Sequence, residues 1–214
     1  PARLLCLENT HNAGGGSIWP LDQIQEVTAA ARKLGLTRHL DGARLWNASA
    51  ATGIPEREYA RHFDSISVCF SKGLGAPIGS ALCGSRDFVA RARRFKQQIG
   101  GGFRQGGIIA AGALYALRHH RARLTEDHAL AKALANGIYR FPGIELDPNA
   151  VETNIVRFTV TSMPAGEFVD RLHARGLHLL PSGKNGVRAI AYLDITLEQI
   201  EAAVQIVQAA AESS

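Results

Sequence analysis

The feature that most constrains this chain is the way short apolar runs alternate with helix-like spacing through its first half. Leu4–Leu7 reads as a short buried strand, His39–Asp41 ends a second, Ser65–Phe70 is a third and Ser80–Cys83 a fourth. Between the first two, Ile24, Val27, Ala31 and Leu34 recur on one helical face, with Pro20 suited to the first turn and Gly35 to the stop. A small-residue helix is expected after Asp41, running through Ala51. Strands separated by helices stack as an α/β sheet. A helix is expected from Asp87 to Gln98, ending at Gly100-Gly101-Gly102. Gln105–Leu117 is apolar nearly all round, which predicts burial between domains or subunits. Thr125 is placed to cap the next helix, with Leu130, Leu134 and Ile138 on one side and Phe141-Pro142-Gly143 as its end.

The last third changes character. Val156, Phe158 and Val160 alternate with Arg157, Thr159 and Thr161, the period of a half-buried strand. Phe168 and Leu172 mark a helix stopped by Gly176, and Leu177–Leu180 and Gly186–Tyr192 flank a turn at 181–185. Thr196 and Gln199 form a capping-box pattern ahead of Ile200, Val204 and Val207. This reads as a small α+β domain.

Composition removes several function classes. The 214 residues are 46% hydrophobic and 20% charged, ordinary for a globular chain, and no apolar run approaches a membrane span. The net charge of +5 concentrates in Arg86–Lys96 and Arg118–Arg123 without interleaved aromatics or a nucleic-acid module, so solvated helix faces are the reading. Cys6, Cys69 and Cys83 lie apart in apolar runs without metal-ligand spacing. Buried thiols, no metal, no membrane and a cytoplasmic location are therefore expected.

Lys72 carries the strongest chemical signal. It follows the apolar run Ile66–Phe70 and opens the glycine-rich Ser71-Lys72-Gly73-Leu74-Gly75-Ala76-Pro77-Ile78-Gly79-Ser80. Desolvation there would favour a free amine, the form that attacks a carbonyl; the plainer reading is a solvated lysine in a turn. Asp41, in His39-Leu40-Asp41-Gly42-Ala43-Arg44, ends another strand; its plainer reading is a cap over a helix beginning at Gly42. Together the pair suits pyridoxal 5'-phosphate, which needs an amine for its aldehyde and a carboxylate for its ring nitrogen. Arg188 is charged within an apolar strand and calls for an anion.

Four motifs in order, Glu8-Asn9-Thr10-His11-Asn12, His39–Arg44, Phe70–Pro77 and Gly100-Gly101-Gly102-Phe103-Arg104-Gln105, make the chain resemble L-threonine aldolases of the low-specificity and phenylserine type, from about Leu4 to the C-terminus. The resemblance implies an aspartate-aminotransferase-like (fold type I) large domain, partial here, plus a small α+β C-terminal domain. It implies boundaries of 1–118 for the C-terminal part of the cofactor-binding domain, 119–141 for a connecting helix and 142–214 for the small domain. It implies a lyase that cleaves L-threonine and related β-hydroxy-α-amino acids to glycine and an aldehyde. The enzyme would be a homodimer or homotetramer.

By the same resemblance Lys72 is catalytic and bonds the cofactor, and Asp41, Arg44 and Arg104 bind it. Arg188, Arg44 and His11 bind substrate. Two departures stand out: Gln97 occupies a position often held by lysine, with Lys96 adjacent, and Tyr192 stands where histidine is frequent. Family members also carry an N-terminal phosphate loop and a stacking histidine, so a C-terminal portion of such an enzyme is expected. Other fold-type-I lyases or aminotransferases and a non-catalytic product are the alternatives.

Overall fold

A computed structural model of the chain describes residues 1–212. Its elements run β1 (Leu4–Glu8), α1 (Leu21–Lys33), β2 (Thr37–Gly42), α2 (Leu45–Thr52), α3 (Glu56–Ala60), β3 (Ser65–Cys69), β4 (Ser80–Gly84), α4 (Arg86–Gln98), α5 (Gly106–His119), α6 (Leu124–Ile138), β5 (Ile144–Glu145), β6 (Ile155–Val160), α7 (Ala165–His173), β7 (Leu180–Pro181), β8 (Gly186–Ile190) and α8 (Leu197–Glu212). A 3₁₀ turn, Pro148–Ala150, separates β5 from β6. The residues form two compact units: Pro1–His11 with Ile18–Arg123, and Asn12–Ser17 with the residues from Leu124 onward. Among the described residues no helix is long and apolar enough to cross a membrane.

In the first unit the sheet order is β1-β2-β3-β4. The first three strands are parallel and β4 runs antiparallel to β3. Leu40, Ile66 and Val68 of the central strands pack with Ile24 of α1, Leu45 and Ala48 of α2 and the fully buried Tyr59. Gly35, at φ +71°, stops α1 as its position predicts. The register of β2 on β3 is fixed at its start by a clamp. Arg38 donates through Nε to Asp64 Oδ2 at 2.9 Å and through Nη2 to Oδ1 at 2.5 Å, and its backbone N–H reaches Oδ2 at 2.8 Å. These bonds hold the Asp64 carboxyl below its usual range, against an opposing push from burial.

Two expectations fail here, the burial of Leu4–Leu7 and that of the cysteines, in large part because β1 and β4 lie at the edges of the sheet. β1 is an edge strand in this chain, so Leu4 is 52% exposed and Cys6 is exposed. Cys83, in the other edge strand β4, is exposed too, and Cys69 is half-buried, so the thiols are not core residues. Within this chain α5 buries Ala113 and Ala116 and leaves Ile108 81% exposed. The helix after Asp41 also starts later than expected. Residues 43–44 form a turn, and Arg44 rather than Asp41 takes the cap position of α2.

The second unit is an antiparallel sheet of order β5-β6-β8-β7 with α6 and α7 packed on it and α8 packed against those two helices. The alternation in β6 holds: Ile155, Val156, Phe158 and Val160 are buried, and Arg157 and Thr159 are half-buried. Phe158 meets Phe168 edge-to-face at 6.3 Å in a core completed by Leu172, Val187, Ala203 and Val207. The Thr196/Gln199 capping box forms in both directions, at 2.9 and 3.3 Å. Thr125 lies inside α6, whose first residue is Leu124. Asn12–Ser17 joins this unit because Thr153 Oγ1 donates to Gly16 O at 2.7 Å, Arg157 Nη1 to Ala13 O, and Arg188 Nη1 to Asn12 Oδ1 at 3.0 Å.

Candidate active site

Parallel strands present all their C-terminal ends at one edge, and in open α/β sheets that edge is where ligands bind. Register places Glu8 opposite Asp41, and Asp41 opposite Ser67. His11 lies three residues past the end of β1 and Lys72 three past the end of β3. The first unit therefore gathers His11, Asp41 and Lys72 on a single strand edge. Close spacing there requires Gly42, because a Cβ would stand 3.0 Å from the Ser67 carbonyl oxygen and 3.3 Å from Leu45.

Asp41 is exposed, and its Oδ1 accepts the Ala43 N–H at 3.1 Å. This short turn aims the carboxylate outward from the strand end. Lys72 sits in a tight loop: Gly75 N–H donates to Lys72 O at 2.8 Å and Ala76 N–H to Phe70 O at 2.9 Å. Leu74 and Ala76 point inward and are buried, so Lys72 points outward and is exposed. The burial expected for its amine is thus not supplied by the residues described; the loop gives the amine access instead.

His11 is exposed, with Nε2 3.7 Å from Glu8 Oε2. Arg44 is 8% exposed at the start of α2. Arg104 is exposed two residues before α5. Lys96 borders an open apolar groove of about 940 Å³ formed with Phe70, Ile78, Phe103, Ile109 and Leu114. In the second unit, Arg188 is half-buried in β8 and faces Arg157 across the β6–β8 pair. Two arginines opposed in this way repel unless an anion lies near. Among the described residues neither has an ion pair with a carboxylate, and both anchor instead on oxygens of Asn12–Ser17.

Two further residues belong to the edge, although the chain pattern singled them out only as parts of a motif. Asn9 and Thr10 are 0% and 1% exposed, directly after β1. Asn9 Oδ1 accepts Trp19 N–H at 3.3 Å, but among the described residues Asn9 Nδ2 and Thr10 Oγ1 have no hydrogen-bond partner. A buried polar pair between an apolar strand and a glycine loop was the available signal. The edge so offers an amine, a carboxylate and two unsatisfied hydrogen-bonding groups. That donor set fits a phosphorylated pyridine aldehyde. Away from this edge, His128 in α6 is pushed down to about 4 by burial.

Comparison with known proteins agrees with this reading of the fold and the motifs. The chain is 39% identical over 198 residues to the low specificity L-threonine aldolase of Escherichia coli, covering 92% of this chain and 57% of that protein. It is 37% identical over 201 residues to low-specificity L-threonine aldolase 1 of Arabidopsis thaliana, covering 92% and 56%. The chain therefore spans a little over half the length of these relatives. The fold aligns with a solved structure of Leishmania major threonine aldolase at a TM-score of 0.77 and 20% identity, over 97% of this chain and 60% of that one. Residues 1–161 match the sequence profile described as beta-eliminating lyase, and on that match the chain belongs to the beta-eliminating lyase family.

Proposed function

We propose that the protein is a pyridoxal phosphate-dependent aldehyde-lyase that cleaves L-threonine and related β-hydroxy-α-amino acids to glycine and an aldehyde. The observation that carries this is the placement of Asp41 and Lys72 on one edge of the parallel strands. The reaction breaks the Cα–Cβ bond: the β-hydroxyl loses its proton, its oxygen becomes the aldehyde carbonyl, and Cα takes up a proton. When bound, pyridoxal phosphate supplies an electron-accepting ring that stabilises negative charge at Cα.

Each residue has a role in that scheme. The exposed Lys72 amine holds the cofactor through its aldehyde carbon. Asp41 keeps a proton on the ring nitrogen, for which an outward carboxylate at a strand end is suited. Arg44 and Arg104 supply positive charge for cofactor oxygens and phosphate, and Arg44 also serves the substrate. Arg188, without a carboxylate partner among the described residues, binds the substrate carboxylate, a task that suits a guanidinium fork. His11, beside Glu8, contacts substrate. The assembled enzyme is a cytoplasmic homodimer or homotetramer, with residues 1–118, 119–141 and 142–214 serving as cofactor domain, connecting helix and small domain.

The test is borohydride reduction of the protein with bound cofactor, followed by peptide mapping, together with product analysis. Label on Lys72 and release of acetaldehyde with glycine are expected. Label on another lysine would remove Lys72 from its role. Ammonia and an oxoacid in place of acetaldehyde would favour β-elimination, the chemistry that gives the family its name.

A further inference from the structure

We infer that His120 is a positioning residue for Lys72, an inference that rests on the cofactor role proposed for that lysine. His120 Nδ1 lies 2.6 Å from the backbone carbonyl of Leu74, two residues beyond Lys72. A carbonyl only accepts, so Nδ1 carries the proton and donates. His120 is itself fixed. Its backbone N–H closes the end of α5 on Ala116 O at 2.8 Å, and the Tyr115 ring packs edge-on against the imidazole at 5.5 Å.

The contact is the last of a series along one face of α5. A Cβ added to Gly79 would lie 3.8 Å from Ile109, and one added to Gly112 would lie 3.2 Å from Pro77 Cδ. Ala113 and Ala116 of the same face are buried. Ile109, Gly112, Ala113, Ala116 and His120 follow helical spacing, so α5 runs as a splint beneath the loop that carries Lys72. The upper contacts are apolar and non-directional. The histidine supplies the directional one, nearest to the lysine. The loop needs it because Gly73, Gly75 and Gly79 give its backbone wide freedom, and Gly75 and Gly79 already use positive φ, +69° and +129°.

Three variants of the protein test this: His120→Asn, which keeps a side-chain N–H donor, and His120→Phe and His120→Ala, which remove it. One readout is hydrogen exchange at the Gly75 and Ala76 amides. The other is the rate at which pyridoxal phosphate with borohydride labels Lys72. Loss of one hydrogen bond predicts exchange about fivefold faster at those two amides in the Phe and Ala variants, with slower labelling of Lys72. Exchange in α1 and β2 should not change, and His120→Asn should stay within about twofold of the parent. Unchanged loop exchange in both donor-free variants, or an Asn variant as impaired as they are, overturns the inference. Label on a different lysine in the parent would instead strike the cofactor role of Lys72, leaving the exchange result to be judged by itself.

Discussion

Replacing Asp64 with Ala should destabilise the first unit through Arg38. The guanidinium side chain is only 10% exposed, and Asp64 meets it with two side-chain hydrogen bonds and accepts a third from the Arg38 backbone. Hydrogen bonds to a charged group contribute about 1.5–3 kcal/mol together with the cost of stranding the partner. The Asp64 side chain is 42% exposed, so water screens the pair and can partly replace the lost oxygens. A net loss of about 1–2 kcal/mol is the result, to be read by urea denaturation at neutral pH. The sign with pH follows from the carboxyl's lowered folded pKa. The clamp's contribution is complete above the unfolded value, about 4, and fades as pH falls through the folded one. The gap between parent and Asp64→Ala should therefore close as the pH is taken from about 5 towards 3. A gap that stays constant or widens over that range would refute the assignment of the stabilisation to the ionised carboxylate.

Other perturbations give equally definite outcomes. His128 is held neutral by burial, with a folded value of about 4 against 6.5. Its contribution is full above the unfolded value and is lost as pH falls towards the folded one, on the order of 1–3 kcal/mol in denaturation midpoints, and His128→Gln should flatten that slope. Gly137→Ala would drive a methyl into Val204 across the α6–α8 contact, outweighing its gain in helix propensity; a loss of about 1–3 kcal/mol is expected. Val204→Ala in the same chain should recover much of that loss, and a purely additive double variant would show that the two side chains do not meet. On the role proposed for Asp41, Asp41→Asn in a full-length enzyme should keep the fold yet depress turnover, because an amide would not hold the ring proton; unchanged turnover with bound cofactor would remove that electronic role.

What could be read from the residues were features set by local chemistry. The β6 alternation, the Thr196/Gln199 box and the Gly35 and Gly176 stops each follow from a few neighbouring side chains, and each appears as expected. The strand ends bearing Asp41 and Lys72 were legible for the same reason. Features that depend on sheet order were not. Nothing in Leu4–Leu7 or Ala81–Cys83 distinguishes an edge strand from a central one, so the exposure of Cys6 and Cys83 could not be anticipated. Lys72 follows an apolar strand, but its orientation is decided by which loop residues turn inward, and Leu74 and Ala76 take that place. The His120–Leu74 contact spans 46 positions and leaves no periodic trace.

The six residues from Asn12 to Ser17 belong to the second unit although the first unit resumes after them. Cleavage in the exposed Arg121–Ala122 stretch would thus not yield two self-sufficient pieces. The larger fragment would retain a loop whose hydrogen-bonding partners, Thr153, Arg157 and Arg188, lie on the smaller one. The smaller fragment by itself would leave Thr153, fully buried in the intact chain, without its acceptor. Nicked halves should for this reason remain bound to each other and co-elute. A gene split at the same point should be rescued only by supplying both products together.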